Sequence, residues 1–461
     1  MKMKKRIAMI LALVMAAGTI TACGGSADST TATTTSATTT SLKEEYAEVV
    51  DEIEVETKEL ENKTVKFLSS WDINPADGKA VPVELELFQT RYGGEIEWVQ
   101  VSWDGRYDKL TTLVAADDSP DMFSAGDLDT FPKGAITGMF SPLDDYVDFS
   151  DEIWSGISTV NDQFVYNGKH YVAATSTDAG VVMIYNKRVL EENNLTDPWE
   201  YIEAGTWNWN TLMEMMLSFC DKDEGKYAID GWWFESAISL TTGVPYIGME
   251  DGKVVHNLDN PLIAKAQEYM YNMNKNELPY PKWEHAWSVC PSNIADGKTL
   301  FYPCGIWTLY EADTTEYGAQ GEIGFAPMPR CEDADEYYIP TSVTAFSLIS
   351  GAKNPEGVAA YLQCARIAQS DDRVAEIAKQ QYMEDYSWTE EMYESLVKTK
   401  EMTNEHPMIE FYSAVSPDLY DIMNNPIKDS FNNGASWAQT KESIKGSVEA
   451  ELDKANARLA N

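Results

Sequence analysis

From Thr64 onward, apolar residues recur in two rhythms that alternate along the chain. Short runs such as Val65-Lys66-Phe67-Leu68 and the alternating stretch Glu95 to Val101 read as strands. Between them, apolar residues return every three or four positions, which puts them on one face of a helix. The pattern predicts a helix from Val81 to Tyr92, stopped by Gly93-Gly94, and another from Asp104 to Ala116 with Tyr107, Leu110, Leu113 and Val114 on one side. A turn at Ser119-Pro120 leads into a short strand at Asp121 to Ser124, with further strands at Tyr171 to Ala174 and Val181 to Tyr185. Asn208 is placed to cap a helix from Trp209 to Cys220, and Asn354-Pro355 opens one running to about Ile367. A last helix runs from Thr440 to Leu459 with Ile444, Val448, Leu452 and Ala455 inward. Strands alternating with helices predict α/β layers built on largely parallel sheets, and no internal repeat is visible.

The first 63 residues follow a different pattern. Lys2, Lys4, Lys5 and Arg6 precede an uncharged apolar run from Ile7 to Ala17, then Ile20-Thr21-Ala22-Cys23-Gly24-Gly25. A positive start, an apolar run too short for a permanent span and small residues before a break describe a secretory signal. Residues 1–22 are therefore expected to be removed. Ser26 to Ser41 is almost wholly Ser, Thr, Ala and Asp and cannot bury apolar area, so it reads as a flexible tether. Leu42 to Lys63 is acidic with Leu42, Tyr46, Val49, Ile53 and Leu60 near helical spacing; a helix and a charged spacer are both open. The tether is expected to reach residue 63 and the fold to begin at Thr64.

The chain has 461 residues, enough for two sizeable domains after the signal. Its 75 acidic against 35 basic residues give a formal charge of -40, which disfavours nucleic acid and anionic lipid as partners. Beyond Cys23, five cysteines (Cys220, Cys290, Cys304, Cys331 and Cys364) are widely spaced. Small buried thiols are the simpler reading, with a Cys290–Cys304 bridge left open. His170, His256, His285 and His406 form no metal-binding pattern, and no metal or cofactor is expected. No nucleophile elbow, P-loop or dinucleotide fingerprint is present.

What stands out chemically is aromatic residues with polar neighbours near the ends of expected strands: Trp71-Asp72, Trp103-Asp104, Trp232-Trp233-Phe234-Glu235 and Trp307. Flat rings stack on the C–H faces of sugars while neighbouring carboxylates accept hydrogen bonds from hydroxyls. Core packing is the competing reading for each. Trp207 and Trp209 flank a helix start and read as structural.

In order, Tyr107 to Asp121, Leu143-Asp144-Asp145-Tyr146, Tyr166 to Tyr171 followed by Ile184-Tyr185-Asn186-Lys187, Gly205-Thr206-Trp207-Asn208-Trp209, Gly305-Ile306-Trp307, Phe325 to Pro329 and Gly351 to Glu356 resemble the family 1 extracellular solute-binding proteins, the maltose-binding-protein-like receptors of ABC importers. The Ile-Thr-Ala-Cys string resembles a bacterial lipobox, which makes Cys23 the expected lipidation site and residues 23–63 a lipid-anchored tether. The resemblance implies a two-lobed periplasmic-binding-protein-like α/β fold of type II, with the ligand cleft between lobes joined by a hinge. It implies lobe 1 as residues 64–175 with about 343–405, and lobe 2 as 176–342 with about 406–461. It implies ligand contacts at Asp127 and Asp178 and aromatic platforms at Trp233, with its neighbour Trp232, at Trp307 and at Phe411-Tyr412, with Trp71 and Trp103 closing the first-lobe side. At Ser124-Ala125-Gly126 the chain lacks the bulky aromatic of the maltose receptor, so that receptor's specificity does not transfer. The implied protein is no enzyme. It is a monomeric receptor on the outer face of the cell membrane, passing a carbohydrate, an oligosaccharide first of all, to the importer's membrane subunits. The alternatives are a receptor for a peptide, a polyamine or a phosphate ester, and a surface glycosidase with two carboxylates facing across the cleft.

Overall fold

The computed structural model describes residues 47–75, 81–126, 128–281, 291–311 and 316–459. The signal segment, Cys23, Asp127 and Cys290 lie outside the described residues. Cys220, Cys331 and Cys364 are free thiols, the last two buried.

Two sheets organise the chain. The first contains β1 (Thr64–Ser69), β2 (Glu95–Gln100), β3 (Met122–Ser124), β4 (Phe140–Ser141) and β5 (Ala173–Ala179). The second is built from β6 (Val182–Asn186), β7 (Tyr227–Ile229), β8 (Thr299–Cys304) and β9 (Ile323–Pro327). The chain then returns to the first sheet through β10 (Ile339–Ile349) and β11 (Pro407–Met408). The first sheet has the order β11-β10-β3-β1-β2, with β4 and β5 also paired to β10; the second has the order β9-β6-β8-β7.

The sheets are mixed, where largely parallel ones were expected. β1 runs parallel to β2 and β3, as right-handed strand–helix–strand crossovers require. β10 runs antiparallel to β3, β4 and β5, because it re-enters the first sheet from the opposite end. In the second sheet β6 is antiparallel to both its neighbours, while β7 and β8 are parallel.

Helices form where the apolar spacing placed them. α1 (Val83–Tyr92) buries Val83, Leu85, Leu87, Phe88 and Tyr92 and packs on α4 (Pro355–Ser370). Its end is closed by the Gly93 and Gly94 N–H groups on Gln89 and Phe88. α2 (Arg106–Ala115) follows β2, and α3 (Phe234–Leu240) follows β7. The Asn208 side chain caps the helix Trp209–Phe219 by accepting from Thr211 N–H at 3.1 Å, and Asn354 caps α4 through Gly357 N–H at 3.0 Å. Trp207 and Trp209 are buried in the second lobe's core. α5 (Glu390–Glu405) and the C-terminal α6 (Trp437–Leu459) complete the frame.

One expectation is corrected. From residue 47 the acidic segment is docked rather than free. Val50, Ile53 and Leu60 are buried in the first lobe's core, and the Arg91 guanidinium donates to the carbonyls of Val50, Asp51 and Ile53. Three apolar side chains at near-helical spacing are enough to hold this segment despite its charge. Trp388, with Met392 and Leu396 of α5, packs against Leu309 and Phe325, while α5 also packs on β5 and β10.

Three backbone segments run side by side where the sheets meet. β5 passes into β6 through Gly180-Val181; Gly180 N–H donates to Pro340 at 2.6 Å. β10 leaves the same point, and β11 pairs with its first residues, Ile339 with Pro407 and Pro340 with Met408. These are the crossings about which two lobes can turn.

Candidate functional site

In an open α/β sheet the crevice beyond the carboxyl ends of the strands is where ligands bind. Both sheets turn such ends toward the crossings. β1, β2 and β3 end level with one another, Ser69 opposite Gln100 and Leu68 opposite Phe123. The loop after β3 is tied to the crossing strand by Ala125 N–H on Ala345 at 2.8 Å. In the second sheet β7 ends at Ile229 opposite Phe301, and β8 runs on to Cys304, which pairs with Val182, two residues beyond Gly180.

The second-sheet edge carries the tryptophans. The rings of Trp233 and Trp307 lie 6.3 Å apart, and those of Trp232 and Trp233 5.7 Å apart. Trp233 and Trp307 are half-buried, whereas Trp232 is only 2% exposed and donates its indole N–H to the Tyr302 hydroxyl at 3.2 Å. Trp232 is thus packed into the core beside Trp233. The turn is costly. Trp233 sits at φ +60°, a left-handed conformation worth roughly 1–3 kcal/mol of strain for a bulky residue. Gly231 is required because a Cβ there would lie 2.3 Å from the Pro303 carbonyl oxygen. Gly305 likewise leaves the space in which the Trp307 ring lies, 2.3 Å from where its Cβ would be. The Trp307 indole N–H is buried without an acceptor among the described residues. An unmet buried donor of that kind costs about 1–3 kcal/mol.

The first-sheet edge is charged. The Arg106 guanidinium lies 3.6 Å over the Trp103 ring, donates to the Trp103 carbonyl at 2.6 Å and pairs with the Asp129 carboxylate. The Tyr107 hydroxyl donates to the same carboxylate at 2.9 Å, and Lys133 Nζ lies 3.8 Å over the Tyr107 ring. One face of Trp103 is therefore covered by Arg106. Trp71 is half-buried, edge-on to Phe67 at 5.5 Å, and packs on the first core.

Two candidates lie on the crossings. Asp178 in β5 faces Lys400 of α5 at 3.4 Å, a long ion pair; burial pushes its carboxyl up from the usual range and Lys400 pulls it down. One turn further along α5, Asn404 Oδ1 accepts from the Thr177 hydroxyl at 2.5 Å. Tyr412 stacks on Tyr420 with rings 5.9 Å apart and 11° from parallel, so one of its faces is also taken. Its neighbour Glu410 accepts from the backbone N–H groups of Tyr246 (2.7 Å), Ile247 (2.9 Å), Phe411 (3.0 Å) and Tyr412 (3.2 Å), pinning the third crossing to the second lobe. The structure thus brings together Trp233 and Trp307, places Trp71 and Trp103 after the ends of β1 and β2, and sets Asp178 in β5 and Tyr412 just after β11.

Arg106, Asp129, Lys133 and Glu410 escaped sequence reading. A signal existed for two of them. In so acidic a chain, Arg106 and Lys133 follow β2 and β3 closely, the place where strand-end residues face a cleft.

Burial pushes Glu410 up to about 7 despite its four N–H donors, and pushes Asp230, beside Gly231, up to about 7 despite its bond from Asn293. Both carboxyls hold protons more tightly folded than unfolded. Their stabilising contribution is present in acid and is lost as pH rises from about 4 through about 7, at up to roughly 1.4 kcal/mol per pH unit each. Denaturant unfolding of the empty protein is expected to show greater stability at pH 5 than at pH 8. A flat or rising profile across that window would contradict the burial of these two groups.

Residues 72–366 match the family model described as bacterial extracellular solute-binding protein. The chain belongs to that family. Its members are extracellular solute carriers rather than enzymes, which sets the glycosidase alternative aside. The maltotriose-binding protein of Pyrococcus abyssi is 24% identical over 268 residues, 56% of this chain and 54% of that protein. The diacetylchitobiose-binding protein of Streptomyces coelicolor is 23% identical over 295 residues, 63% of this chain and 66% of that protein. The match thus spans between half and two thirds of those relatives' lengths. The cyclic alpha-maltosyl-1,6-maltose binding protein from Arthrobacter globiformis superposes with a TM-score of 0.62 at 17% identity, covering 85% of this chain and 99% of that one, so the two-lobed fold is shared. Among the described residues no helix is long and apolar enough to cross a membrane.

Proposed function

We propose that this family member captures a carbohydrate, an oligosaccharide in the first instance, between its lobes and delivers it to the membrane subunits of an ABC importer. The observation that carries this reading is the Trp233–Trp307 pair, two half-buried rings and an unmet indole donor held in a strained turn at a strand-end edge. Stacking faces with a few fixed polar groups suit sugar rings. Relatives named for maltotriose and diacetylchitobiose binding support the same ligand class.

In this reading Trp233, Trp307 and Tyr412 contact the ligand from one side, Trp71, Trp103 and Asp127 from the other, and Asp178 from the hinge. Residues 64–175 with about 343–405 form one lobe and 176–342 with about 406–461 the other, divided at the crossings. Ligand shifts the open–closed balance by its greater affinity for the closed form, which contacts it on both sides. Cys23, once lipidated, holds a monomer at the membrane surface after the signal is removed.

The test is thermal unfolding of residues 47–461 against a panel of mono- and oligosaccharides, with peptides and polyamines as controls. A cognate glycan at about 100 times its dissociation constant is expected to stabilise the protein by roughly 2.7 kcal/mol and to be recovered unchanged. A shift with peptides or polyamines and none with any glycan would overturn the carbohydrate reading.

A further inference from the structure

Two cations at the first-sheet edge, Arg106 and Lys133, lie close to one described carboxylate, Asp129. Lys133 is half-buried, yet among the described residues its ammonium makes no hydrogen bond or ion pair; it lies over the face of Tyr107 at 3.8 Å. This is anomalous in a chain with 75 acidic and 35 basic residues. Other partly buried lysines have found carboxylates: Lys187 with Glu391, Lys265 with Asp333, Lys379 with Glu390 and Lys400 with Asp178. The charges that act on Lys133 are Asp129 and Arg106, of opposite sign, and Asp129 is already bonded to Arg106 and Tyr107. Burial lowers the Lys133 pKa, the mark of an ammonium poorly compensated where it sits.

Arg106 adds a second observation. Its side chain is 9% exposed, and its Nε–H is buried with no acceptor among the described residues. It opens α2, a ten-residue helix whose Gly105 cap offers no side-chain acceptor, so the positive end of the helix dipole adds to the same edge.

We propose that the captured saccharide carries an acid group, the carboxylate of a uronate or a phosphate ester, and that Lys133 with Arg106 receives it at the first-lobe edge of the cleft. The inference rests on the carbohydrate reading above. A neutral hydroxyl would accept one hydrogen bond from Lys133 and leave its charge uncompensated. An anion does both, through a charge-assisted bond about twice as strong as a neutral one. The second-lobe tryptophans then hold the sugar faces while the first lobe reads the acid.

Calorimetry on the full two-lobed protein with matched pairs tests this. Trigalacturonate is set against galactotriose, glucuronate oligosaccharides against glucose oligosaccharides of equal length, and sugar phosphates against the parent sugars. The acidic member of one pair is expected to bind at least tenfold more tightly than its neutral partner, and the arm that does so names the acid. Lys133→Met is expected to remove that advantage, and Lys133→Arg to retain most of it. Equal affinities within every pair, or an advantage that survives Lys133→Met, would overturn the proposal and leave the sugar receptor standing. No binding by any saccharide, acidic or neutral, would overturn both.

Discussion

Trp307→Ala is expected to weaken saccharide binding at least tenfold, about 1.4 kcal/mol or more, while the protein remains folded. Trp307 is half-buried, its ring faces Trp233 at 6.3 Å, and its indole N–H has no acceptor among the described residues. Removing it takes away a stacking face and a donor together, both realised only when ligand is present. Trp307→Phe keeps the face and loses the donor, so it should fall between the two. Because the ring is not part of the fully buried core, the circular dichroism spectrum should be unchanged and the unfolding midpoint lowered by a few degrees at most. Calorimetry showing unaltered affinity for Trp307→Ala would remove this residue from the site. Trp232→Phe makes the opposite contrast: it unpairs the Tyr302 hydroxyl contact in the core and should cost stability before affinity.

A second large effect concerns the N-terminal segment. A chain begun at Thr64 is expected to be less stable than one begun at residue 47 by on the order of 3 kcal/mol. The deletion exposes the surfaces against which Val50 (1% exposed), Ile53 (4%) and Leu60 (7%) pack. Each such side chain is worth about 1.5–3 kcal/mol on burial, partly offset by the entropy of ordering the segment. The loss of the Tyr92 hydroxyl's bond to Glu56 and of the Arg91 bonds acts in the same direction. Equal unfolding free energies for the two chains would show that the segment is held too weakly to matter.

Legibility followed the physics of each element. β1, α1 and the caps at Asn208 and Asn354 were readable because apolar periodicity and capping residues act locally. β5 was only half seen. Its residues Ala173 to Ala179 are small or polar and show no alternation, since the strand pairs with β10 and is covered by α4 and α5 rather than by one apolar face. The antiparallel return of β10 could not be read either, because pairing direction is set by where the chain re-enters the sheet. Trp233 and Trp307 stand out in the sequence by residue type next to strand ends. Trp232, adjacent and chemically identical, turned inward because the Gly231 turn fixes which ring faces the core. Lys133 and Arg106 lack any pattern of their own; they become visible as a pair once the fold sets the ends of β2 and β3 on either side of β1.

The central claim is that a saccharide is held where the strand ends of both sheets meet the three crossings. A crystal structure of residues 47–461 with the most strongly stabilising saccharide tests it directly. The account expects sugar rings stacked on Trp233 or Trp307, an acceptor on the Trp307 indole N–H, and contacts from the Trp103–Arg106–Lys133 edge on the opposite side. A saccharide bound elsewhere, with both tryptophan faces still covered by protein, would contradict it.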